Sequence, residues 1–600
     1  MIAPAQPWSA IIAASRATDW SSAGATIVNR TRQCGATIAA YSGTAAKINN
    51  AISACPADRF VQLGAGTFNL STEIQLSKSN VTLRGMGADQ TNLNFTGTSG
   101  NSACAIGENR VVSLCTGGRN IAVADPEHTA TWTAGYGKGT TVVTLSRTRG
   151  LEVGSTLWLD QVNDASDGFP AAGDLWICSG EAGCSNQGGG ESFARAGRGQ
   201  VEGQVVTAIN GSNVTIAPGL RMPNYGAARS PGAWWGNATT ILKNTGLENL
   251  TVDLTNSGGA SGIYVVNATN CWVSGVRVVK ADTGGSNIRQ LSTINALNVT
   301  VKDSYFYGPP TTQLVSVYGI SLHVTSSSLL QNNILHKNSA PIVPNSAYYG
   351  NVLGYNYVDA GLGASVVLHG VGAMNLYEGN NWGAFSGDVI HASHAFETLF
   401  RNHHDGREHN PNDTEASAAI SLYSKNRFFN IIGNVLGTPH WTSYQSSQAH
   451  HQHAIYEFGW QGTGSGNPVP SDAHVLRTVL RWGNWDNVNS ATRFLASEVP
   501  SGIPSFPNPV PASQALPTSF YLGRQPAWWT TPFGTPPWPP IGPDVAGGNI
   551  STSPTGGHAN KIPARLCFEN SGLDPAYPSS NPRIKLFGAS SCYPRSGDGL

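Results

Sequence analysis

The sequence is poor in charged residues and carries no net charge. Asp, Glu, Lys and Arg make up 12% of the 600 residues, and 35 basic side chains balance 35 acidic ones. A nucleic-acid-binding protein normally presents a basic field that gathers phosphates, and this balance offers none. Long apolar runs are also missing, so no segment matches an ordinary membrane-spanning helix. We therefore expect neither nucleic acid nor a membrane as a partner.

Zinc-binding motifs are missing too, although nine cysteines are present and none has CxxC or CxxH spacing. Eight of them fall into close sequential pairs near Gly, Ser or Asn, which is typical of disulfides formed in an oxidising compartment. The expected bonds are Cys34–Cys55, Cys104–Cys115, Cys178–Cys184 and Cys567–Cys592, with Cys271 as a buried thiol. The cysteines alone indicate a secreted, extracellular or periplasmic protein, because the first residues lack the pattern of a signal peptide.

Glycine and proline are abundant, with 70 and 35 residues, and this composition favours turns and short strands. Short apolar segments recur along the chain, and each is followed by a polar residue at the same place. These residues are Ser304, Asn333, Asn356, Asn380, Asn402, Asn434 and Asn484. Their separations are 29, 23, 24, 22, 32 and 50 residues. A period of 22 to 24 residues with insertions predicts the coils of a parallel β-helix, in which these asparagines stack along the axis.

Three segments near the start extend this pattern. An Ala/Ile-rich stretch at 45–52 is followed by Gly64-Ala-Gly-Thr-Phe68 and by Leu83-Arg-Gly85. In this order they resemble the pectate-lyase-like β-helix superfamily. The resemblance implies an all-β, right-handed parallel β-helix with an N-terminal capping helix. It implies no particular activity, because the superfamily holds lyases, hydrolases, epimerases, esterases and phage adhesins.

The period divides the chain into four regions. Residues 1–102 form the cap and first coils, and residues 103–235 break the period with alternating segments typical of a small inserted antiparallel β subdomain. Residues 236–497 form the main β-helix. Residues 498–600, rich in Pro and Trp, form a tail that we expect to pack on the coil, since a structureless loop of that length would be unusual.

Histidines are concentrated in one part of the main β-helix. Of the fifteen in the chain, ten lie between 369 and 453. Counting back 11 residues from Asn380, Asn402 and Asn434 reaches His369, His391 and Tyr423, so these three are predicted to share one column unless an insertion intervenes. The other residues expected nearby are Asp388, His394, Arg401 and His403, with Trp382, Trp441, Tyr444, Tyr456 and Trp460 as candidates for stacking on sugar rings.

Two chemistries fit these residue types. In β-elimination on a uronate, a base removes the proton next to the carboxyl group, a cation stabilises the enolate, and an acid protonates the leaving oxygen; His, Tyr and Arg can fill these roles. Glycoside hydrolysis instead requires two carboxyl groups at a defined separation. Candidates for these are Glu378, Asp388, Glu397, Asp405 and Glu408. The acid cluster of β-helix polygalacturonases and the calcium aspartates and Arg-x-Pro-x-x-Arg run of pectate lyases are both absent from the sequence.

The sequence therefore predicts a secreted carbohydrate-active enzyme, expected to be a monomer, that cleaves a polysaccharide. A lyase is favoured over a hydrolase acting on a neutral glycan, and a non-catalytic glycan-binding adhesin or surface structural protein is the remaining alternative. No cofactor is required, although His391 and His394, with His369 or Asp388, could bind a divalent metal ion.

Overall fold

A computed structural model describes most of the chain. The described residues are 5–97, 104, 109–116, 128–163, 175, 193–236, 240–282, 287–308, 317–359, 363–406, 418–450, 452–462, 469–550, 557–580 and 583–594. The chain winds through three long sheets in a repeating order, and neighbouring coils pair in parallel. This is the right-handed parallel β-helix that the sequence predicts. No helix among these residues is long and apolar enough to cross a membrane.

Each coil contributes strands to sheet I, then sheet II, then sheet III. Sheet I has eleven strands: Arg59–Gln62, Val81–Arg84, Gly246–Glu248, Trp272–Ser274, Thr300–Lys302, Leu329–Gln331, Val352–Gly354, Leu376–Glu378, Thr398–Phe400, Asn430–Ile432 and Leu480–Trp482. Sheet II has thirteen: Ser42–Gly43, Gly66–Leu70, Thr91–Phe95, Thr251–Asp253, Arg277–Val279, Tyr305–Tyr307, Ile334–His336, Tyr357–Asp359, Asn381–Trp382, His403–His404, Val435–Leu436, Asn484–Asp486 and the antiparallel edge strand Ala491–Arg493.

Sheet III has fifteen strands and forms the wall that carries the candidate site. They are Ile74–Leu76, Arg110–Leu114, Leu242–Lys243, Ser261–Thr269, Ile288–Leu297, Val317–Ser326, Ala340–Pro344, Tyr348–Tyr349, Val366–Leu368, Gly372–Ala373, Phe385–Gly387, His394–Ala395, Ala418–Leu422, Ser443–Ser447 and Ala454–Phe458. Alternate residues, among them Val366, Leu368, Ile420 and Leu422, point into the apolar core that runs along the coil.

Helices are few in the part of the chain that the structure describes. The α-helices there are Ala46–Ala54, which is the N-terminal cap and buries Ile48 and Ile52, and three others at His474–Thr478, Pro563–Asn570 and Ala589–Cys592. Short 3₁₀ turns lie at Ala227–Arg229, Ala496–Glu498 and Ala527–Trp529, and a two-stranded sheet pairs Ile541–Ala546 with Gly557–Ala559.

The asparagine ladder predicted from the period is present at the corner between sheets I and II. The Nδ2 atoms of Asn333, Asn356, Asn380, Asn402 and Asn434 each donate to the next Oδ1 atom along the axis, ending at Asn484, over 2.8 to 3.1 Å. The residue before each ladder position has a positive φ, from 51° at Asp303 to 70° at Gly379. The ladder therefore satisfies buried amides along a turn whose backbone is left-handed.

A second ladder lies at another corner and was not predicted. The amide of Asn351 donates to Asn375 at 2.9 Å, and Asn375 donates to Glu397 at 2.9 Å. All three side chains are buried.

The inserted subdomain is a closed antiparallel barrel of six strands: Thr129–Ala134, Val142–Leu145, Thr156–Asp160, Val201–Asn210, Asn213–Ala217 and Gly232–Trp235. Its apolar core continues onto Ala373, Ala395 and Phe396 on the outside of the coil. The barrel therefore lies against the wall beside the candidate site.

The described residues near the start of the chain and those of the tail lie along the outside of the coil. Near the start, Arg16 donates to Asn430 at 3.0 Å and to the carbonyl of Thr478 at 2.7 Å. In the tail, Asp574 accepts from Arg277 at 2.6 Å, some 300 residues earlier in the chain. These contacts tie early and late coils together.

Three of the four expected disulfides are present: Cys34–Cys55, Cys104–Cys115 and Cys567–Cys592. Cys271 is a buried free thiol, as expected. Cys178 and Cys184 lie outside the described residues.

Candidate functional site

The candidate site begins where three successive strands of sheet III end. Strands Val366–Leu368, Phe385–Gly387 and Ala418–Leu422 pair in register. The next residues along the chain, His369, Asp388 and Tyr423, continue this register: the Asp388 amide donates to the Leu368 carbonyl at 3.3 Å and the Tyr423 amide to the Gly387 carbonyl at 2.9 Å. The column of the structure is therefore His369, Asp388 and Tyr423, spaced by about 4.8 Å per coil.

His391 is not a member of this column, because a bulge precedes it. Leu368 pairs with Gly387, a separation of 19, whereas Gly372 pairs with His394, a separation of 22. The middle coil thus contains three extra residues between these points. The prediction that placed His391 in register is wrong by those three residues. The bulge nevertheless turns the His391 side chain back over its neighbour in the column.

Asp388 joins the two histidines. Its Oδ2 atom accepts from Nδ1 of His391 at 2.7 Å and lies 3.5 Å from Nε2 of His369. The imidazole rings of His369 and His391 stack with centroids 4.0 Å apart. The histidine side chains are 17% and 21% exposed and that of Asp388 only 6%, so the rings face outward with the carboxylate behind them.

The environment separates the pKa values of the two histidines. Burial and the neighbouring His391 lower the pKa of His369 to about 4, against the opposing charge of Asp388. Burial also acts to lower the pKa of His391, but the charge and hydrogen bond of Asp388 outweigh it and raise this pKa above its usual value. For Asp388, burial is outweighed by the two histidines, which lower its pKa. The cluster therefore favours ionised Asp388, cationic His391 and neutral His369.

A second hydrogen-bonded chain begins at Tyr423. Its hydroxyl lies 3.3 Å from Nε2 of His450, and Nδ1 of His450 lies 2.6 Å from Oε2 of Glu457. Glu457 is buried and also accepts from the amide of Gln452 at 2.7 Å. With Nδ1 donating to the carboxylate, Nε2 of His450 is the acceptor for the Tyr423 hydroxyl. This is the arrangement of a base that is oriented by a carboxylate.

Trp460 completes this second chain. Its ring stacks on His450 with centroids 4.6 Å apart and meets Tyr423 edge-on at 5.0 Å. Among the aromatic residues proposed to bind sugars, it is the one that contacts the column. It is partly exposed, so one face of the ring could meet a sugar.

His394 lies beside the cluster but faces inward. It is buried, and its Nδ1 lies 3.1 Å from Oδ1 of Asn426. Burial lowers its pKa to about 3, so it is a neutral residue that helps to hold the corner.

Three other predicted residues lie outside the site. Arg401 occupies the ladder turn between sheets I and II, with φ of 53°, and forms a bidentate pair with Asp544 of the tail at 2.6 and 2.7 Å. Trp382 points into the core and donates to Nδ1 of His404 at 3.0 Å. His403 lies on the outer side of sheet II, where burial and then Arg565 of the tail lower its pKa to about 3. These three residues lie outside the site because their positions in the coil place them on sheet II or on the corner between sheets I and II, whereas the site lies on sheet III.

The remaining aromatic candidates also serve the fold. Trp441 and Tyr456 are buried in the coil core. Tyr444 donates to Glu498 at 3.0 Å, and its ring lies under the guanidinium of Arg493 at 4.2 Å. These residues close the last coils instead of lining an open surface.

The other candidate carboxylates do not converge with Asp388. Glu397 is buried in the second ladder, where burial raises its pKa well above the usual value. Burial raises the pKa of Glu378 to about 7. The Glu378 carboxylate accepts from Tyr355 at 2.7 Å and from the backbone amide of Phe520 at 2.8 Å, and the second bond holds the tail against the coil. Asp405 follows the sheet II strand His403–His404, and Glu408 lies outside the described residues.

His369, Asp388 and His391 could also hold a divalent cation. One possible ligand atom from each lies within 4.8 Å of the others, and imidazole with carboxylate suits transition ions. His394, predicted as a further ligand, bonds to Asn426. Because His391 and Asp388 bond directly to each other, a metal ion would have to replace that hydrogen bond.

Sequence reasoning missed His450 and Glu457. His450 belongs to a Gln/Ser-rich loop, which indicates an inert surface. The signal that could have found Glu457 is its position inside the apolar strand Ala454–Phe458, where an acidic residue requires a partner.

No protein-family model and no curated protein sequence matches this chain. Among solved structures it is similar to the tailspike gp61 of Pseudomonas phage phi297, at 12% identity and a TM-score of 0.39, over 66% of this chain and 69% of that one. The tailspike Gp54 of Acinetobacter baumannii bacteriophage AP22, solved in complex with A. baumannii capsular saccharide, is similar at 12% identity and a TM-score of 0.32, over 66% of this chain and 62% of that one. PfbA, a surface adhesin of Streptococcus pneumoniae, is similar at 11% identity and a TM-score of 0.28, over 67% of this chain and 88% of that one. Similarity at this level concerns the fold alone, and no residue role, ligand or activity of these proteins is assigned to this chain.

Proposed function

We propose that this protein is an extracellular polysaccharide lyase that cleaves an acidic glycan by β-elimination on the outer wall of sheet III. The observation that carries the proposal is the presence of two proton-transfer units on neighbouring coils: Asp388 with His391, and Tyr423 with His450 and Glu457. The three disulfides support an extracellular location.

We assign opposite roles to the two units, and their hydrogen bonds support this assignment. Tyr423 passes its proton to Nε2 of His450, and the resulting oxyanion takes the proton next to the sugar carboxyl group, with Glu457 balancing the imidazolium. The bond to the β oxygen then breaks, and His391 donates its proton to that oxygen. With Arg401 committed to Asp544, His391 is also the cation that faces the developing negative charge.

A hydrolase receives less support from the same residues. Asp388 and Glu457 each bond to a histidine, and they lie two coils apart, about 10 Å along the axis. Inverting glycosidases hold their carboxyl groups about 6.5–9.5 Å apart and require one of them to be protonated. The lowered pKa of Asp388 opposes that role.

The test is a panel of acidic and neutral polysaccharides, read for new reducing ends and for the ultraviolet absorbance of an unsaturated sugar end. We expect both signals with an acidic polymer, and their loss in His391→Ala. His440→Ala, which removes an exposed histidine of a nearby loop, is the matched control and should keep both. Reducing ends without the absorbance would establish a hydrolase, and binding without either signal would establish an adhesin.

A further inference from the structure

The inserted barrel has a cavity of its own, separate from the column. It has a volume of about 870 Å³. Its lining includes Arg147, Arg195 and Arg198 and the hydroxyl-bearing residues Thr129, Thr131, Thr133 and Ser146. The threonines alternate along one strand, so their side chains share its outer face. In a chain without net charge, this cavity combines three guanidinium groups with a row of hydroxyls.

A buried carboxylate holds two of these arginines in place. Asp160 is the last residue of its strand and its side chain is fully buried. Its Oδ2 accepts from Nε of Arg195 at 2.7 Å and its Oδ1 from Nη1 of Arg198 at 2.8 Å. Nη2 of Arg195 also donates to Oδ1 at 2.5 Å, and Nε1 of Trp234 lies 3.1 Å from Oδ2. One carboxylate thus orients two guanidinium groups, and the three lining arginines exceed it by two positive charges.

The barrel backbone also leaves room for these arginines. Gly232 lies opposite Asp160 in the paired strand. A Cβ atom at Gly232 would come within 2.3 Å of Nη2 of Arg195 and 3.2 Å of Oδ1 of Asp160. A larger residue there would push the Arg195 guanidinium out of this position, so the absence of a side chain at Gly232 allows the guanidinium to lie against the strand.

We propose that this cavity binds an acidic sugar residue of a polysaccharide. Each guanidinium presents several N–H groups in a plane, and those not used by Asp160 match a carboxylate or sulfate. The threonine and serine hydroxyls supply partners for ring hydroxyls. No acidic residue is among the described residues that line the cavity, so a neutral sugar would leave the two excess positive charges unbalanced there. A nucleic acid requires a longer basic surface than one cavity in a neutral chain.

The test uses hydrogen–deuterium exchange of the full chain with hexagalacturonate or the neutral cellohexaose. Every protein carries His391→Ala to prevent turnover. We compare Arg147→Gln with Arg149→Gln; both arginines are exposed, but only Arg147 lines the cavity. We expect hexagalacturonate to protect peptides covering 129–147 and 193–200, with a midpoint raised about tenfold by Arg147→Gln, typical of a lost charged hydrogen bond. Arg149→Gln should change the midpoint less than about twofold on the same scale.

Three outcomes would overturn the proposal: no protection of these peptides at saturating hexagalacturonate, equal protection by cellohexaose, or equal effects of the two arginine variants. None of these readouts depends on cleavage. The cavity can therefore fail this test while the column remains catalytic, and the reverse also holds.

Discussion

Replacing Asp388 with Asn tests the charge separation at the centre of the site. The change removes the negative charge that lies 2.7 Å from Nδ1 of His391 and 3.5 Å from Nε2 of His369. An opposite charge at such distances shifts a pKa by about 1–3 units. His391 must be protonated to donate, so the rate falls as pH rises through its pKa. In Asp388→Asn this fall should move about 1–3 units toward lower pH.

At a fixed pH above the pKa of His391 in both proteins, the rate should fall about tenfold for each unit by which that pKa is lowered. The assay is the pH dependence of kcat/KM on a cleaved acidic polymer. Asp359→Asn is the matched control, because Asp359 also lies beside a histidine, 3.4 Å from Nε2 of His336, but on sheet II. The role of Asp388 would be refuted if Asp388→Asn left the pH profile of kcat/KM unchanged. An equal shift of the profile in Asp359→Asn would refute it as well.

The same pair makes a signed contribution to stability. Because Asp388 has a lowered pKa, its contribution is present above its unfolded value and is lost as pH falls through the folded value. Because His391 has a raised pKa, its contribution is complete below its unfolded value and is lost as pH rises through the folded value. Asp388→Asn should therefore destabilise the fold most at pH values between the unfolded-state pKa of Asp388 and that of His391.

Three further predictions concern the ladder corner and the cluster of His369, Asp388 and His391. Arg401→Met should lower the free energy of unfolding by about 2 kcal/mol or more, because the hydrogen bonds to the tail are lost. The folded variant should keep its kcat. A lower kcat with unchanged stability would show that Arg401 acts in catalysis. Asn402→Ala should cost about 4 kcal/mol, since its amide takes part in four hydrogen bonds of the ladder worth about 1 kcal/mol each; an unchanged denaturation midpoint would contradict this. Dialysis against EDTA should leave cleavage intact, because His391 and Asp388 bond to each other; a loss restored by Zn²⁺ would make the cluster a metal site.

The sequence period was sufficient to predict the coil and the ladder. Asn380, Asn402 and Asn434 follow apolar segments at a regular spacing, and asparagines stacked in this way can bond to each other along the axis. Because each coil repeats the environment of the previous one, the ladder can be predicted from the sequence of neighbouring coils.

The same period was insufficient for the site. His391 lies three residues beyond the position that repetition assigns, because a bulge interrupts one coil. Trp382 and His404 face inward although they resemble groove residues in type, and their direction depends on the position of each turn. Contacts such as Arg401 with Asp544 join distant segments, and no local pattern encodes them.

Cleavage of an acidic polysaccharide by Tyr423→Phe tests the proposed mechanism most directly. The variant removes one hydroxyl, the group that lies 3.3 Å from His450, and keeps the ring that packs on Trp460. We predict that the wild-type protein releases products with the absorbance of an unsaturated end and that the variant does so about 10²–10⁴ times more slowly, at an unchanged melting temperature. Wild-type products without that absorbance, or a variant as fast as the wild type, would contradict β-elimination by this column.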